Sequence, residues 1–290
     1  MHRSSQHVTG IAATLVALIL APVVHADLKL PRPSQKATVT QTIGLTDLTI
    51  VYSRPGVKGR TIWGGLVPYG EPWRTGANEA TSFTCSQDVA VEGQKLPAGT
   101  YSFFTIPGKS EWTIVFNKEK DLWGAYEYKP ASDVLRVTVK PQAAAARDEW
   151  MEFRFTDLSW KGGTLALQWD KLVVPVRIAV DDVDEALSAV RDTLSRAPAD
   201  DWRTLQRGAQ FCLDAGVNLD EGVKWAEKSV AIQEGYSNVS LLARYRHDAG
   251  SSKEAVALAE KALKLAKEAK DPPDTKPTER LLAEWSGKKK

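Results

Sequence analysis

Residues 100–117 read TYSFFTIPGKSEWTIVFN. Both flanks, 100–106 and 111–117, are rich in Thr, Tyr, Phe, Ile and Val, which suit a pleated, half-buried surface. Between them stands Pro107-Gly108-Lys109, where Pro presets one backbone angle and Gly permits the tight return. This is a strand, a turn and a returning strand. Upstream, Leu96-Pro97-Ala98-Gly99 and Glu92-Gly93 read as turns, and residues 82–91 as a strand. In residues 36–52, Ala37, Val39 and Gln41 alternate with Thr38, Thr40 and Thr42, and Leu48, Ile50 and Tyr52 continue the period of two. Downstream, residues 133–140, 149–157, 164–169 and 172–180 read as strands. Residues 141–147, with four consecutive alanines, read as a loop with at most one helical turn. About ten short strands with Gly/Pro turns and no intervening helix predict an antiparallel β-sandwich or barrel.

After Val180 the period changes to that of a helix. Asp181 and Asp182 can cap a helix whose apolar positions are Val183, Leu187, Val190 and Leu194; Asp200 or Asp201 can cap a second from Trp202. An internal repeat follows. Asp214-Ala215-Gly216 recurs as Asp248-Ala249-Gly250, 34 residues later, and Trp202, Ala209 and Phe211 recur as Tyr236, Ala243 and Tyr245. Beyond the turn, Ala226-Glu227-Lys228 recurs as Ala259-Glu260-Lys261 at an offset of 33. A helix–turn–helix unit of this length, with small residues where helices cross, resembles the tetratricopeptide repeat. Neither copy carries the proline that family places at the repeat end. In the tail, Pro277 falls where a first-turn helical proline belongs. The prediction is a two-domain α+β protein. Residues 27–180 form the antiparallel β-sandwich or barrel, and residues 181–290 a tetratricopeptide-like α-helical repeat domain that docks a protein partner.

Composition narrows the function. The 290 residues carry a net charge of +2, which argues against nucleic acid as a partner. Arg3 precedes an apolar run, residues 11–24, and Val24-His25-Ala26 supplies the small residues of a signal-peptidase site. The run is about 14 residues, short of the roughly 20 that span a bilayer. Residues 1–26 are therefore expected to be a signal peptide cut after Ala26, and the mature protein periplasmic or secreted, with no membrane span. Of four histidines, His2, His7 and His25 fall in that segment, leaving His247 in a helix. That removes a multi-histidine metal site and leaves a nucleophile–histidine device one candidate base. Cys85 and Cys212 are expected to be buried, unpaired thiols. No P-loop, dinucleotide fingerprint, EF-hand or Cys/His metal spacing is present, and no cofactor or metal is expected.

One stretch resists both periods: residues 53–81, SRPGVKGRTIWGGLVPYGEPWRTGANEAT, with six glycines, three prolines, three arginines and two tryptophans. Long irregular loops of this composition carry function. Ser53-Arg54-Pro55, Gly59-Arg60, Ile62-Trp63-Gly64, Leu66-Val67-Pro68-Tyr69-Gly70, Trp73-Arg74 and Gly76-Ala77-Asn78-Glu79-Ala80-Thr81 match a family pattern. So do Leu96-Pro97-Ala98-Gly99-Thr100-Tyr101 and Trp112-Thr113-Ile114. Across residues 35–180 the chain resembles the bacterial domain of unknown function 2911. The resemblance implies an exported, β-rich protein, sometimes with helical repeats behind, and no activity.

Candidate ligand-binding residues are Arg54, Arg60, Trp63, Trp73, Arg74, Asn78 and Glu79. Three arginines can grip a carboxylate, phosphate or sulfate through paired hydrogen bonds. Trp63 and Trp73 offer ring faces for a sugar, and a second aromatic group stands at Trp123-Gly124-Ala125-Tyr126-Glu127-Tyr128. The competing reading is an internal network in which Arg and Glu satisfy the backbone of a loop without ladders. No catalytic set is assigned. The first functional reading is an exported envelope binding or scaffold module with a mouth for an anionic or carbohydrate ligand. The alternative is a carboxylate-dependent enzyme or binding module acting on polysaccharide, with Glu79 paired to Glu71, Asp47 or Glu127. A third reading is a purely structural or interaction protein without a small ligand.

Overall fold

The computed structural model describes residues 30–287; the expected signal peptide, residues 1–26, and the terminal lysines 288–290 lie outside the described residues. The chain forms antiparallel sheets followed by helices. One sheet has the order β1-β2-β3-β6-β7-β8, with β1 (Gln35–Ile43), β2 (Thr46–Arg54), β3 (Thr81–Cys85), β6 (Gly99–Pro107), β7 (Trp112–Asn117) and β8 (Asp133–Val139). The other has the order β5-β4-β10-β9, with β4 (Val89–Val91), β5 (Gln94–Leu96), β9 (Gln142–Ser159) and β10 (Gly162–Ala179).

The period of two decides what is buried. Leu48, Ile50 and Tyr52 of β2, Phe83 and Cys85 of β3, Tyr101 and Phe103 of β6, and Ile114 and Phe116 of β7 face inward. They meet Met151, Phe153, Leu165, Leu167 and Val176 of the second sheet in one core. The opposite face of the large sheet carries a smaller core of Phe104, Val115 and Leu122, with Ala80, Ile106, Ala125 and Tyr128 against it.

Three local readings are corrected. Residues 82–91 are two strands, because the chain leaves the large sheet after Cys85 and enters the small one at Val89. The Glu92-Gly93 turn then takes φ values of 47° and 80°, the left-handed pair that a tight hairpin needs. Of residues 141–147, all but Pro141 belong to β9. Gln142 and Ala143 face Val173 and Leu172, and the register slips before Asp148 meets Asp170, so residues 144–147 bulge. Finally, the separately read strands 164–169 and 172–180 are the limbs of β10, which doubles back about Asp170 (φ 53°). The Val180 amide donates to the Lys161 carbonyl at 2.9 Å, closing the limbs.

The helices are α1 (Val183–Arg196), α2 (Trp202–Ala215), α3 (Leu219–Ile232), α4 (Tyr236–Asp248), α5 (Ser252–Glu268) and α6 (Lys276–Trp285). They join the sheets through Asp182, which is buried. Its carboxylate accepts from the Leu45 amide at 2.6 Å and the Thr46 hydroxyl at 3.0 Å. The rings of Trp160 and Phe211 meet beside it at 6.0 Å. The small residues related by the sequence repeat share an environment. Ala209 and Ala243 are buried, as are Ala226 and Ala259, and Gly216 and Gly250 take left-handed φ after α2 and α4. Tyr245 donates to the Ala209 carbonyl at 2.7 Å, and burial pushes its phenol well above the ordinary range. Cys85 and Cys212 are free, buried thiols. No helix among the described residues is long and apolar enough to cross a membrane.

Candidate functional site

The loop over residues 53–81 begins as an irregular extra strand. The Met151 amide donates to the Pro55 carbonyl at 3.0 Å, and the Val57 amide to the Glu149 carbonyl at 2.7 Å, so the loop pairs with β9 and ties the sheets together. Arginines hold this join. Arg54 donates to the Met151 carbonyl at 2.8 Å and to Glu152 at 3.2 Å. Arg60 donates to the carbonyls of Gly56 at 2.6 Å and Val57 at 3.1 Å. The Val57 carbonyl also accepts from the Arg60 amide at 3.0 Å, so the arginine side chain reinforces a turn as well as filling in for the missing ladder.

The two tryptophans go inward. Trp63 and Trp73 pack with Trp112 and Trp169, with ring centroids 4.9 Å apart for Trp63–Trp112 and 5.9 Å for the stacked pair Trp73–Trp169. Trp73 donates its indole N–H to Gly76 and Trp169 to Glu149. Those of Trp63 and Trp112 are buried without an oxygen or nitrogen partner, surrounded by edge-to-face rings. The Trp73 backbone pairs both ways with Thr105 at 2.8 and 2.9 Å, which locks the loop to β6.

Directly after it the chain turns outward. Thr75, fully buried, has φ 55°, a strained conformation for a β-branched residue. Its hydroxyl bonds the Trp73 carbonyl and the Thr105 hydroxyl, both at 3.2 Å, and its carbonyl accepts from Thr81 at 2.7 Å. This bend presents Arg74. The Arg74 Nε is buried with no partner, and among the described residues its side chain makes no hydrogen bond or ion pair. Burial pushes the guanidinium below its ordinary pKa, opposed by the charge of the Tyr126 phenol if ionised. Asn78, left-handed at φ 59°, donates its amide to the Ser34 carbonyl at 3.2 Å. Glu79 is paired with Arg32, whose hydrogen bond holds its carboxyl below the usual range.

The seven candidates therefore divide. Arg54, Arg60, Trp63 and Trp73 lie in the join and the core, whereas Arg74, Asn78 and Glu79 lie on the outer face of the large sheet. The second aromatic group stands beside the latter three. The Ala80 amide donates to the Leu122 carbonyl at 2.8 Å, the Gly124 amide to the Asn78 carbonyl at 3.1 Å, and Glu79 is bridged to Trp123. Trp123 is 57% exposed and Tyr126 is 87% exposed, so this pair, and not Trp63 and Trp73, offers ring faces to solvent.

Next to them a trough of about 230 Å³ opens on the same face. Ser53, Ser82, Thr100 and Ser102 line it, with Lys36, Lys120, Glu79 and Asp121 at its walls. Sequence reasoning missed Lys36, Lys120 and Asp121. The available signal was the run of hydroxyls at alternate positions, Ser82, Thr84, Thr100 and Ser102, opposite the core residues of β3 and β6. Of the proposed partner carboxylates, Asp47 lies at the far end of β2, bonded to Thr42 and Ser86. No group of His, Cys, Asp and Glu among the described residues is arranged to hold a metal.

Residues 34–178 match the model of a family described as "Protein of unknown function (DUF2911)". No curated protein and no solved structure matches the chain.

Proposed function

The chain belongs to the DUF2911 family, whose description carries no activity, and from that premise we propose that it is an exported, non-enzymatic binding module of the cell envelope. The two units are residues 27–180, which bind a polar, anionic ligand at the outer face of the large sheet, and residues 181–290, which dock a protein through tetratricopeptide-like repeats. Export rests on the character of residues 1–26. The repeat reading is supported by the like environments of Ala209 and Ala243, Ala226 and Ala259, and Gly216 and Gly250.

One observation carries the ligand reading: Arg74. The other arginines of residues 30–180 each have a carboxylate, carbonyl or side-chain partner: Arg32, Arg54, Arg60, Arg136, Arg147, Arg154 and Arg177. Arg74 alone, among the described residues, is half-buried and unpaired. A guanidinium withdrawn from water without a counter-charge destabilises the fold unless something else pairs it. The alternative of a carboxylate-dependent polysaccharide enzyme has less support. A general acid needs a raised pKa, and Arg32 moves Glu79 the other way.

The test is thermal unfolding of the whole protein in sodium sulfate against sodium chloride at equal ionic strength. A ligand at ten times its Kd stabilises by about 1.4 kcal/mol. Sulfate should raise the melting temperature of the wild type by more than that of Arg74→Gln, whose smaller rise is the general salting-out effect of the anion, with both proteins folded. An equal response from both proteins removes the site.

A further inference from the structure

The outer-face site has a shape and a charge that together select a ligand class. We propose that it binds a saccharide carrying a carboxylate: the sugar ring stacks on Trp123 and Tyr126, its hydroxyls enter the trough, and its carboxylate pairs with Arg74. This rests on the anion-binding reading above and goes further by naming the ligand.

Four observations meet here. The trough's 230 Å³ is below the roughly 300–1,000 Å³ of pockets for drug-sized ligands and suits one small ring. Its lining offers both donors and acceptors. Ser53 and Ser82 supply hydroxyls, Ser102, whose O–H is given to the Glu119 carbonyl at 2.7 Å, can accept, Lys36 and Lys120 donate, and Asp121 accepts. Sugar hydroxyls, each a donor and an acceptor, are the natural complement of such a mixture. A purely anionic group would leave Asp121 opposed.

The aromatic pair is held and not adrift. The Trp123 backbone is bridged to that of Glu79, a lining residue of the trough, which holds this segment alongside it. Gly124 has φ 68° and leaves no room for a side chain, because a Cβ there would lie 2.7 Å from the Tyr126 ring. Tyr126 therefore lies over the Gly124 backbone, adjacent to Trp123. Leaving two large rings exposed forgoes about 1.5–3 kcal/mol of burial each. Flat aromatic faces on an anchored backbone suit the C–H face of a pyranose.

The charges give the sign. Arg32 and Glu79 neutralise one another, while Lys36, Lys120, Arg74 and Asp121 form no ion pair among the described residues. In the trough Lys36 and Lys120 against Asp121 leave an excess of positive charge, and Arg74, which does not line the trough, adds to it from the neighbouring part of the loop. Arg74 lies on the Tyr126 side, its Nε buried. A carboxylate projecting from the stacked ring can take the guanidinium fork in two parallel bonds. A phosphate cradle is not available here, because the nearby amides of Ala80 and Gly124 already donate to Leu122 and Asn78.

The experiment titrates the whole protein with trigalacturonate, with neutral cellotriose and with sodium sulfate, by calorimetry and tryptophan fluorescence. Trigalacturonate should bind at least ten-fold more tightly than cellotriose. Trp123→Ala should weaken both sugars ten-fold or more. Arg74→Gln should abolish the preference for the acidic sugar while leaving cellotriose unaffected. Lack of binding by either sugar, or a preference that survives Arg74→Gln, overturns the saccharide assignment. Sulfate binding that depends on Arg74, with no sugar bound, overturns this inference and leaves the anion-binding reading standing. Absence of sulfate binding as well removes both.

Discussion

Replacing Arg74 with Met should make the protein more stable. The Nε of Arg74 is buried and unpartnered, and the guanidinium forms no ion pair among the described residues. An unsatisfied buried donor costs about 1–3 kcal/mol. The residue is half-buried, so its outer nitrogens keep some water and the lower end of that range applies. Met retains the apolar stem that an arginine lays along its surroundings, so the packing loss is small. The expected gain is about 1 kcal/mol, or roughly 2–4 °C in the melting temperature of a unit of this size. Urea unfolding followed by tryptophan fluorescence reads it directly, because four of the tryptophans form the core beneath the loop. The urea dependence should keep its slope and shift its midpoint upward. Arg60→Met is the control. It removes the donors to the Gly56 and Val57 carbonyls and should lower stability by about 1 kcal/mol. A loss of 2 kcal/mol or more in Arg74→Met would show that the guanidinium is a structural tie, and the binding argument would fall with it.

Asp182→Ala strands the Leu45 amide and the Thr46 hydroxyl at the junction of sheets and helices. It should cost about 2–3 kcal/mol in chemical denaturation, and a loss below 0.5 kcal/mol would mean that the junction is held elsewhere. Ala226→Leu and Ala259→Leu each overpack a fully buried helix crossing and should destabilise by about 1–3 kcal/mol. If only one of them does, the two helix pairs are not equivalent. Arg32→Ala should let the Glu79 carboxyl rise toward its ordinary 4.5, seen by carbonyl NMR titration. Because the folded pKa is depressed, this pair's contribution is present above pH 4.5 and is lost as pH falls through the folded value. Both side chains are substantially exposed, so stability should change by less than about 1 kcal/mol. An unmoved titration in the variant would remove Arg32 as the cause.

The β-region was legible because alternation is a local signal. Thr100 to Asn117 reads as strand, turn and strand from its own residues, and β6 and β7 pair as expected. The break between β3 and β4 was not legible, since Ser86-Gln87-Asp88 merely interrupts a run whose two halves join different sheets. The doubling back of β10 shows in the sequence as two strands, and the structure supplies the reason, Asp170 at left-handed φ between the limbs. At the loop, composition identified a special segment but could not assign directions. Trp73 differs from Trp123 only in which side of a backbone it leaves, and that is fixed by pairing with Thr105 and Glu79 respectively, across long sequence distances. The arginines pose the same problem. Arg54, Arg60 and Arg74 are alike in sequence, and only the geometry shows that two hold carbonyls while the third has none.

The distribution of cost within the loop supports a functional reading of its outer end. Strain at Thr75 is worth about 1–3 kcal/mol, and the desolvated Arg74 adds about 1 kcal/mol more. Both fall on adjacent residues, immediately above the most densely aromatic part of the core. The remainder of the loop shows the opposite economy, with Arg54 and Arg60 satisfying carbonyls and Trp63 and Trp73 buried. A loop whose sole task was to clamp two sheets would have no use for an unpaired cation at the end of a strained turn. The four tryptophans and the Thr105 pairing instead form a stiff base that can hold such a turn in place, so that Arg74 would meet the proposed ligand without reordering. The same base keeps Trp123 and Tyr126 in register with Arg74 through Asn78 and Glu79. The structural network and the proposed binding mouth are thus successive parts of one loop, the first making the second rigid.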